Sequence, residues 1–110
     1  MRKGPIRMKK WVEAARIEEF AESDRKMVDL GGKLQVGIYK VEGTFYAMSA
    51  WCTHERATMV HGYLEGFEIM CPLHGARFDI RNGRALSLPA VQDARTYKLR
   101  IEDDVIYIKV

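Results

Sequence analysis

Both cysteines and all three histidines of this 110-residue chain lie within one stretch, residues 52–78. Cys52 and His54 form a C-x-H pair, and Cys71 and His74 form a C-x-x-H pair, with sixteen residues between His54 and Cys71. Thiolates and imidazoles in short, paired spacings are typical ligands of a metal centre. A metal centre built from both pairs requires a fold that brings two separate segments of the chain together.

Three interpretations of this set are open from the residues themselves. The cysteines and histidines can coincide without a shared role, although the paired spacing and the turn-forming Pro72 and Gly75 argue against it. A zinc site has precedent in Cys₂His₂ tetrahedra, yet zinc modules usually begin with two closely spaced cysteines. Here each segment supplies one cysteine and one histidine, which suits a two-iron cluster with both thiolates on one iron and both imidazoles on the other.

The sequence segments around the two pairs resemble the Rieske [2Fe–2S] signature. They are CTH at 52–54 and CPLHGARFDIRNG at 71–83. The resemblance runs from Trp11, in WVEAAR, through LPA at 88–90 to the final strands. It is closest to the small Rieske-type ferredoxins that serve bacterial aromatic-ring-hydroxylating dioxygenases.

This resemblance implies one [2Fe–2S] cluster as the cofactor. Cys52 and Cys71 would hold the inner iron, and His54 and His74 the outer iron. His61 lies outside both pairs, before a glycine in a predicted turn, and is interpreted as a surface or loop-packing residue.

Departures from the respiratory type of Rieske protein narrow the subclass. That type carries an extra cysteine pair, which forms a disulfide, where this chain has Ala57 and Leu73. It also directs a Ser and a Tyr hydroxyl at the cluster, where this chain has Ala76 and Phe78. Hydrogen bonds to the cluster sulfurs raise the reduction potential, so we expect a midpoint at the low end of the Rieske range, about −150 mV.

Other side chains near the pairs have two possible roles. Four apolar residues are candidates either for wrapping the cluster or for ordinary core: Met59, Leu64, Pro72 and Leu73. Three charged residues could tune docking or be ordinary solvated loop charges: Glu55, Arg56 and Arg77.

Alternation and turn signals predict an all-β domain with two loops, each bearing one Cys/His pair. The Rieske resemblance implies that this domain is an antiparallel sandwich or barrel with a small cluster-binding subdomain formed by the two loops. A short helical turn is expected at 17–21. The predicted strands are 11–15, 33–41, 44–50, 67–70, 77–80, 85–88, 96–102 and 105–110. The turns joining them include Glu42-Gly43, Asn82-Gly83 and Asp103-Asp104.

Length and charge indicate one domain over 11–110, with cluster-binding loops at about 51–62 and 70–80, after a basic tail over 1–10. The tail holds five of the 18 Lys and Arg residues and none of the 15 Asp and Glu residues. It can be a disordered tail, an upstream extension or a scar, and Met8 is a possible functional start. The remaining chain is slightly acidic, which speaks against nucleic-acid binding. No long apolar stretch or export signal is found, so we expect no membrane span and a cytoplasmic protein.

A cluster held entirely by protein ligands has no open position for a substrate, so the predicted function is electron transfer rather than catalysis. The family resemblance implies a low-potential carrier between an NAD(P)H-dependent flavoprotein reductase and a terminal Rieske non-haem iron oxygenase. Docking to both would be transient, and a monomer is expected. Two alternatives stay open: a Rieske small subunit of a larger oxidoreductase, such as an assimilatory-type nitrite reductase, and a zinc-stabilised interaction module.

Overall fold

The computed structural model describes residues 10–53, 57–73, 75–88 and 92–110 of the chain. In these ranges the backbone is almost entirely extended, with one 3₁₀ turn over Ile17–Phe20. Its strands are β1 (Trp11–Arg16), β2 (Arg25–Asp29), β3 (Gln35–Val41), β4 (Thr44–Ser49), β5 (Tyr63–Glu65), β6 (Glu68–Met70), β7 (Arg77–Asp79), β8 (Thr96–Tyr97), β9 (Leu99–Glu102) and β10 (Val105–Lys109). The predicted all-β class is confirmed. None of the described segments is a helix long and apolar enough to cross a membrane.

The described strands pair antiparallel in three sheets, with orders β1-β10-β9, β2-β3-β4-β8 and β5-β6-β7. Alternate residues of the central strands face opposite sides, as the two-residue period of a strand requires. On β3, Val36 and Ile38 enter one core, whereas Tyr39 and Val41 enter the other. The four-stranded sheet is therefore covered on both faces.

Two predicted hairpins are present, each with a two-residue turn. Glu42 and Gly43 have φ of 54° and 81° between β3 and β4, and Asp103 and Asp104 have φ of 52° and 65° between β9 and β10. Positive φ at both central residues matches the right-handed twist of the flanking strands. These turns fix the register of the β3–β4 and β9–β10 hairpins.

The strand prediction needs three corrections. Strands β2 and β5 were not expected, because Arg25–Asp29 is rich in charged residues and Tyr63–Glu65 is only three residues long. The predicted strand over 85–88 is reduced to an isolated bridge between Ala85 and Phe78. The predicted single strand over 96–102 is divided at Lys98, because β8 pairs with β4 and β9 pairs with β10. The chain crosses from one sheet to the other at that point.

Two buried clusters fill the fold. The cysteine core contains Tyr39, Met48, Cys52, Met59, Ile69, Cys71, Ala76, Phe78, Ile80 and Ala94. The second core contains Ala15, Phe20, Val28, Val36, Ile38, Phe45, Ala47, Ile106 and Ile108. The small β5-β6-β7 sheet packs on the cysteine core, so the two segments that carry cysteines belong to one packed unit.

Tyr39 is fully buried, and its hydroxyl finds no hydrogen-bond partner among the described residues. Its ring lies back along β3 over Gly37, where an added Cβ would stand 2.8 Å from the Tyr39 oxygen and 2.8 Å from a Val60 methyl. Gly37 therefore provides the space for this ring. Burial raises the pKa of the Tyr39 phenol, which stays neutral.

Replacing Tyr39 with Phe is expected to raise the free energy of unfolding by about 1 kcal/mol. The change removes a buried hydroxyl that has lost its water without gaining a partner. Denaturant unfolding of the variant measures the effect, and Tyr63→Phe, at a tyrosine that is 59% exposed, is the matched control with no expected change. A Tyr39→Phe variant that is less stable than the parent would contradict the prediction.

Candidate metal centre

The two cysteine segments close in the same way. In the first, the backbone N–H of Cys52 donates to the carbonyl oxygen of Ala57 at 2.7 Å. In the second, the backbone N–H of Cys71 donates to the carbonyl oxygen of Ala76 at 2.7 Å. Both hydrogen bonds therefore join a cysteine to an alanine five positions later, and each draws the ends of its loop together.

Both cysteines are buried in the cysteine core, Cys52 at 5% exposure and Cys71 at 1%. Met59, Ala76 and Phe78, in the same cluster, are all fully buried. The side chains that surround the thiols in this core are largely apolar. Two thiols from separate parts of the chain thus lie in one buried, largely apolar cluster.

The first loop, which follows β4, is held from both sides. The indole N–H of Trp51 donates to the side-chain oxygen of Gln35 at 2.9 Å, and Trp51 forms an isolated bridge with Thr58. The hydroxyl of Thr53 donates to the carbonyl oxygen of Gln92 at 2.6 Å. This bond fastens the first cysteine segment to the chain just before β8.

The second loop joins β6 to β7 and needs glycine at one position. Gly75 has φ of 76°, and its N–H donates to the carbonyl oxygen of Cys71 at 3.0 Å. That conformation costs little for glycine and strains residues with a Cβ. Two hydrogen bonds stabilise the end of this loop. The backbone N–H of Arg77 donates to the Ser87 hydroxyl at 3.2 Å, and its carbonyl oxygen accepts from the backbone N–H of Leu86 at 2.8 Å.

Arg25 supports the connection between the first loop and β5. Its guanidinium donates to the carbonyl oxygens of Val60, at 3.2 Å, and Gly62. A side chain at Gly62 would meet the carbonyl oxygen of Met70 at 1.8 Å, so this connection passes directly against β6. The arginine therefore holds the turn that brings the first segment alongside the second.

Asp79, at the end of β7, is the buried charged residue of the described chain. Its carboxylate accepts from the Arg81 guanidinium at 3.0 and 3.1 Å and from the Arg81 N–H at 2.9 Å. These bonds to Arg81 lower the pKa of the Asp79 carboxyl. The Asp79–Arg81 ion pair stabilises the Asn82-Gly83 turn and neutralises the charge of the buried carboxylate.

The described structure places some of the predicted site residues and not others. Cys52 and Cys71 belong to the same buried cluster, whereas His54 and His74 lie outside the described residues, as do Glu55 and Arg56. His61 is exposed in its turn, and it lines a surface depression of about 400 Å³ together with Cys71.

The candidate wrapping residues divide into two pairs. Met59 is part of the cysteine core and Leu64 packs against it. Pro72 and Leu73 are instead exposed, Leu73 at 61%, so these two residues of the second loop face outward. Arg77 pairs with Glu68 at 3.3 Å rather than standing as an isolated loop charge.

Two supporting residues were missed by sequence reasoning. Arg25 sits in a strand that the sequence did not predict, and its carbonyl partners are 35 and 37 positions away. Thr53 lies between two predicted ligands, but nothing in its identity indicates a bond to a residue 39 positions later. Contacts of this kind become visible once the sheet order is known.

The donor chemistry of the described residues fits an iron–sulfur cluster. Iron–sulfur clusters are held by cysteine thiolates, and their potential responds to burial and to hydrogen bonds at the sulfurs. Two buried cysteines in matching closed loops provide half of a Rieske ligand set. The apolar residues around them, Ala76 and Phe78 included, bring no hydroxyl to those positions.

Comparison with known proteins agrees with this geometry. Residues 10–98 match the model of the Rieske [2Fe–2S] domain. The ferredoxin component of the naphthalene 1,2-dioxygenase system of Pseudomonas putida is 46% identical over 94 residues, which cover 86% of this chain and 89% of the relative. This similarity confirms the predicted resemblance to ferredoxin components, and with it the class of electron-transfer protein rather than catalytic oxygenase.

Solved structures show the same fold. The Sphingomonas yanoikuyae B1 ferredoxin superposes with a TM-score of 0.85 at 28% identity, covering 92% of this chain and 99% of that protein. A chain from a complex of reduced oxygenase and oxidized ferredoxin in carbazole 1,9a-dioxygenase superposes with a TM-score of 0.83 at 26% identity, covering 89% of this chain and 91% of the other. The predicted Rieske-like fold and [2Fe–2S] cofactor are confirmed, and the chain belongs to the Rieske [2Fe–2S] family.

Proposed function

We propose that this protein carries single electrons from an NAD(P)H-dependent flavoprotein reductase to the terminal Rieske non-haem iron oxygenase of an aromatic-ring-hydroxylating dioxygenase system. The observation that carries the proposal is the match to a dioxygenase ferredoxin component over 89% of that relative's length. A structural neighbour described as a complex of reduced oxygenase and oxidized ferredoxin supports the oxygenase as electron acceptor. Because the proposed electron source is NAD(P)H, we expect the protein to work in the cytoplasm.

For the cluster we propose four ligands, with Cys52 and Cys71 on the inner iron and His54 and His74 on the outer iron. Support comes from the buried, matching loops of the two cysteines and from the C-x-H and C-x-x-H spacing of the sequence. When bound, the [2Fe–2S] cluster supplies one-electron redox chemistry. The two loops hold its ligands and exclude water from the thiolate side.

The surface beside the second loop suits short-lived docking. Pro72 and Leu73 are exposed next to the proposed ligand His74, with Leu73 at 61% exposure. Small apolar contacts of this kind fit the low end of interface sizes, which is usual for redox encounters. A carrier that docks alternately to two partners through such a surface is expected to be a monomer when alone.

The function is tested with the three-component naphthalene 1,2-dioxygenase system, from which the ferredoxin component is omitted. Adding the holoprotein is expected to restore NADH-dependent naphthalene oxidation, because the chain would pass electrons from reductase to oxygenase. Its midpoint potential, followed by the EPR signal of the reduced state, is expected at about −150 mV. Failure of the reduced protein to donate electrons to the oxygenase, or a midpoint well above zero, would contradict the proposal.

Replacing Phe78 with Tyr is expected to raise the midpoint potential. A new hydroxyl in the cysteine core can donate to a cluster sulfur and stabilise the reduced state. A hydrogen bond about 1.4 kcal/mol stronger in that state corresponds to roughly 60 mV. Phe45→Tyr adds the same group to the second core and is the control, with no expected shift in potential. Equal shifts in both variants would show that the effect is not local to the cysteine core.

The ligand assignment predicts different outcomes for the three histidines. His54→Ala and His74→Ala are each expected to abolish the visible Rieske spectrum and to lower the iron and sulfide content, since the outer iron loses a ligand. His61→Ala is the matched control, because this histidine is exposed and outside both pairs. Loss of the spectrum in His61→Ala, or its retention in His74→Ala, would overturn the assignment.

A further inference from the structure

An open groove runs along the line where the chain crosses between the two larger sheets. It has a volume of about 800 Å³ and is lined by β4, by the turn after β7 and by the segment from Arg95 to Ile101. We call it the seam groove. Of its described lining residues, Ile80 belongs to the cysteine core, and none lies within the two loops closed by the Cys52–Ala57 and Cys71–Ala76 hydrogen bonds. A molecule seated there would leave those loops uncovered.

The seam groove is strongly cationic. Its charged lining residues are Arg81, Arg95, Lys98 and Lys109, and no carboxylate is among the described residues that line it. Arg81 is neutralised by Asp79 at 3.0 Å, but the other three have no ion pair with any described residue. Three positive charges without an ion pair to any described residue therefore line one groove, although residues 11–110 as a whole carry 13 Lys and Arg against 15 Asp and Glu. The ammonium of Lys109 also lies 5.7 Å from the centre of the Trp11 ring.

Apolar and aromatic surface lies between these charges. Tyr46 and Tyr97 are half-buried in the lining, and Ile101 is 41% exposed. The guanidinium of Arg95 lies 5.2 Å from the centre of the Tyr97 ring, which holds that cation over the groove. The groove thus presents apolar contact and positive charge side by side.

Both sheets end at this groove. Strand β8 is an edge of the four-stranded sheet, and β9 is an edge of the β1-β10-β9 sheet. Sheet edges offer backbone groups to an extended polypeptide, which can add as a further strand. Phosphate sites instead gather backbone N–H groups at a helix N-terminus or glycine-rich loop, and no such element is among the described lining residues.

From these observations we propose that the seam groove binds an extended acidic segment of a partner protein, with glutamate or aspartate alternating with apolar residues. Acidic side chains would meet Arg95, Lys98 and Lys109, and apolar ones would contact Tyr97 and Ile101. The interaction is independent of electron transfer, and because it lies away from the cysteine loops, it would tether a partner without blocking the cluster.

The test uses the full-length holoprotein and a fluorescently labelled peptide of alternating glutamate and leucine, followed by fluorescence anisotropy. The peptide is expected to bind, and Lys98→Glu to weaken binding roughly tenfold, or about 1.4 kcal/mol, because an attraction becomes a repulsion. Lys33→Glu makes the same charge change at an exposed loop residue outside the groove and is expected to leave binding unchanged. Circular dichroism checks folding independently of the cluster.

Four results would overturn the proposal. They are absence of peptide binding, equal weakening by Lys98→Glu and Lys33→Glu, equal binding of a control peptide with glutamine in place of glutamate, and displacement of the peptide by inorganic phosphate or ATP. The last would identify a small-anion site instead. A protein that lacks its cluster but still binds the peptide would refute the proposed function and leave this inference standing.

Discussion

Each cysteine donates its backbone N–H to the carbonyl of an alanine five residues later, and the rest of the molecule keeps the two loops so formed together. The first loop leaves β4 of the four-stranded sheet, whereas the second joins β6 and β7 of the small sheet. They meet only because both sheets pack on the cysteine core. Phe78 and Ile69, paired across β6 and β7 and fully buried, therefore contribute to the site as much as to the fold.

Local signals in the sequence predicted much of the fold. Gly43, Asp103 and Asp104 are residue types that tolerate the left-handed region, and the structure has positive φ at these three residues and at Glu42. Strand β2 could not be found in this way, because Arg25–Asp29 is an edge strand with one buried residue and follows no clear alternation. The division at Lys98 was equally hidden, since Tyr97, Leu99 and Ile101 alternate without interruption. Pairing partners, which are a property of the whole chain, decided both.

The site shows the same division between local and long-range information. The types and spacings of the candidate ligands can be read directly from the sequence, so the Cys and His pairs could be found without a structure. Two sets of hydrogen bonds depend instead on segments that the sheets bring together. Thr53 donates to the Gln92 carbonyl, and Arg25 donates to the carbonyls of Val60 and Gly62. Residue type alone gives no reason to prefer these partners. Even the outward position of Leu73 contradicts what its hydrophobicity suggests.

The distribution of charge around the cysteines supports the low potential proposed for the cluster. Reduction adds a negative charge, which is stabilised by nearby cations, hydrogen-bond donors or water. The cysteine core offers little of these: Ala76 and Phe78 have no hydroxyl, and the Tyr39 phenol reaches over Gly37. Asp79 and Arg81 form an ion pair and cancel each other's charge, so this pair adds no net positive charge beside the cysteine core.

Three cations without an ion pair to any described residue, Arg95, Lys98 and Lys109, lie instead along the seam groove, outside the cysteine core. Exposed charges attract partners over distances up to about a Debye length, roughly 8 Å at physiological salt, but are screened from a buried centre by the solvent around them. In the proposed scheme, the separation of the two regions lets partner attraction and reduction potential be set by different residues. Moving a cation from the groove into the cysteine core would raise the reduction potential of the cluster and, at the same time, weaken the electrostatic attraction of partners to the groove.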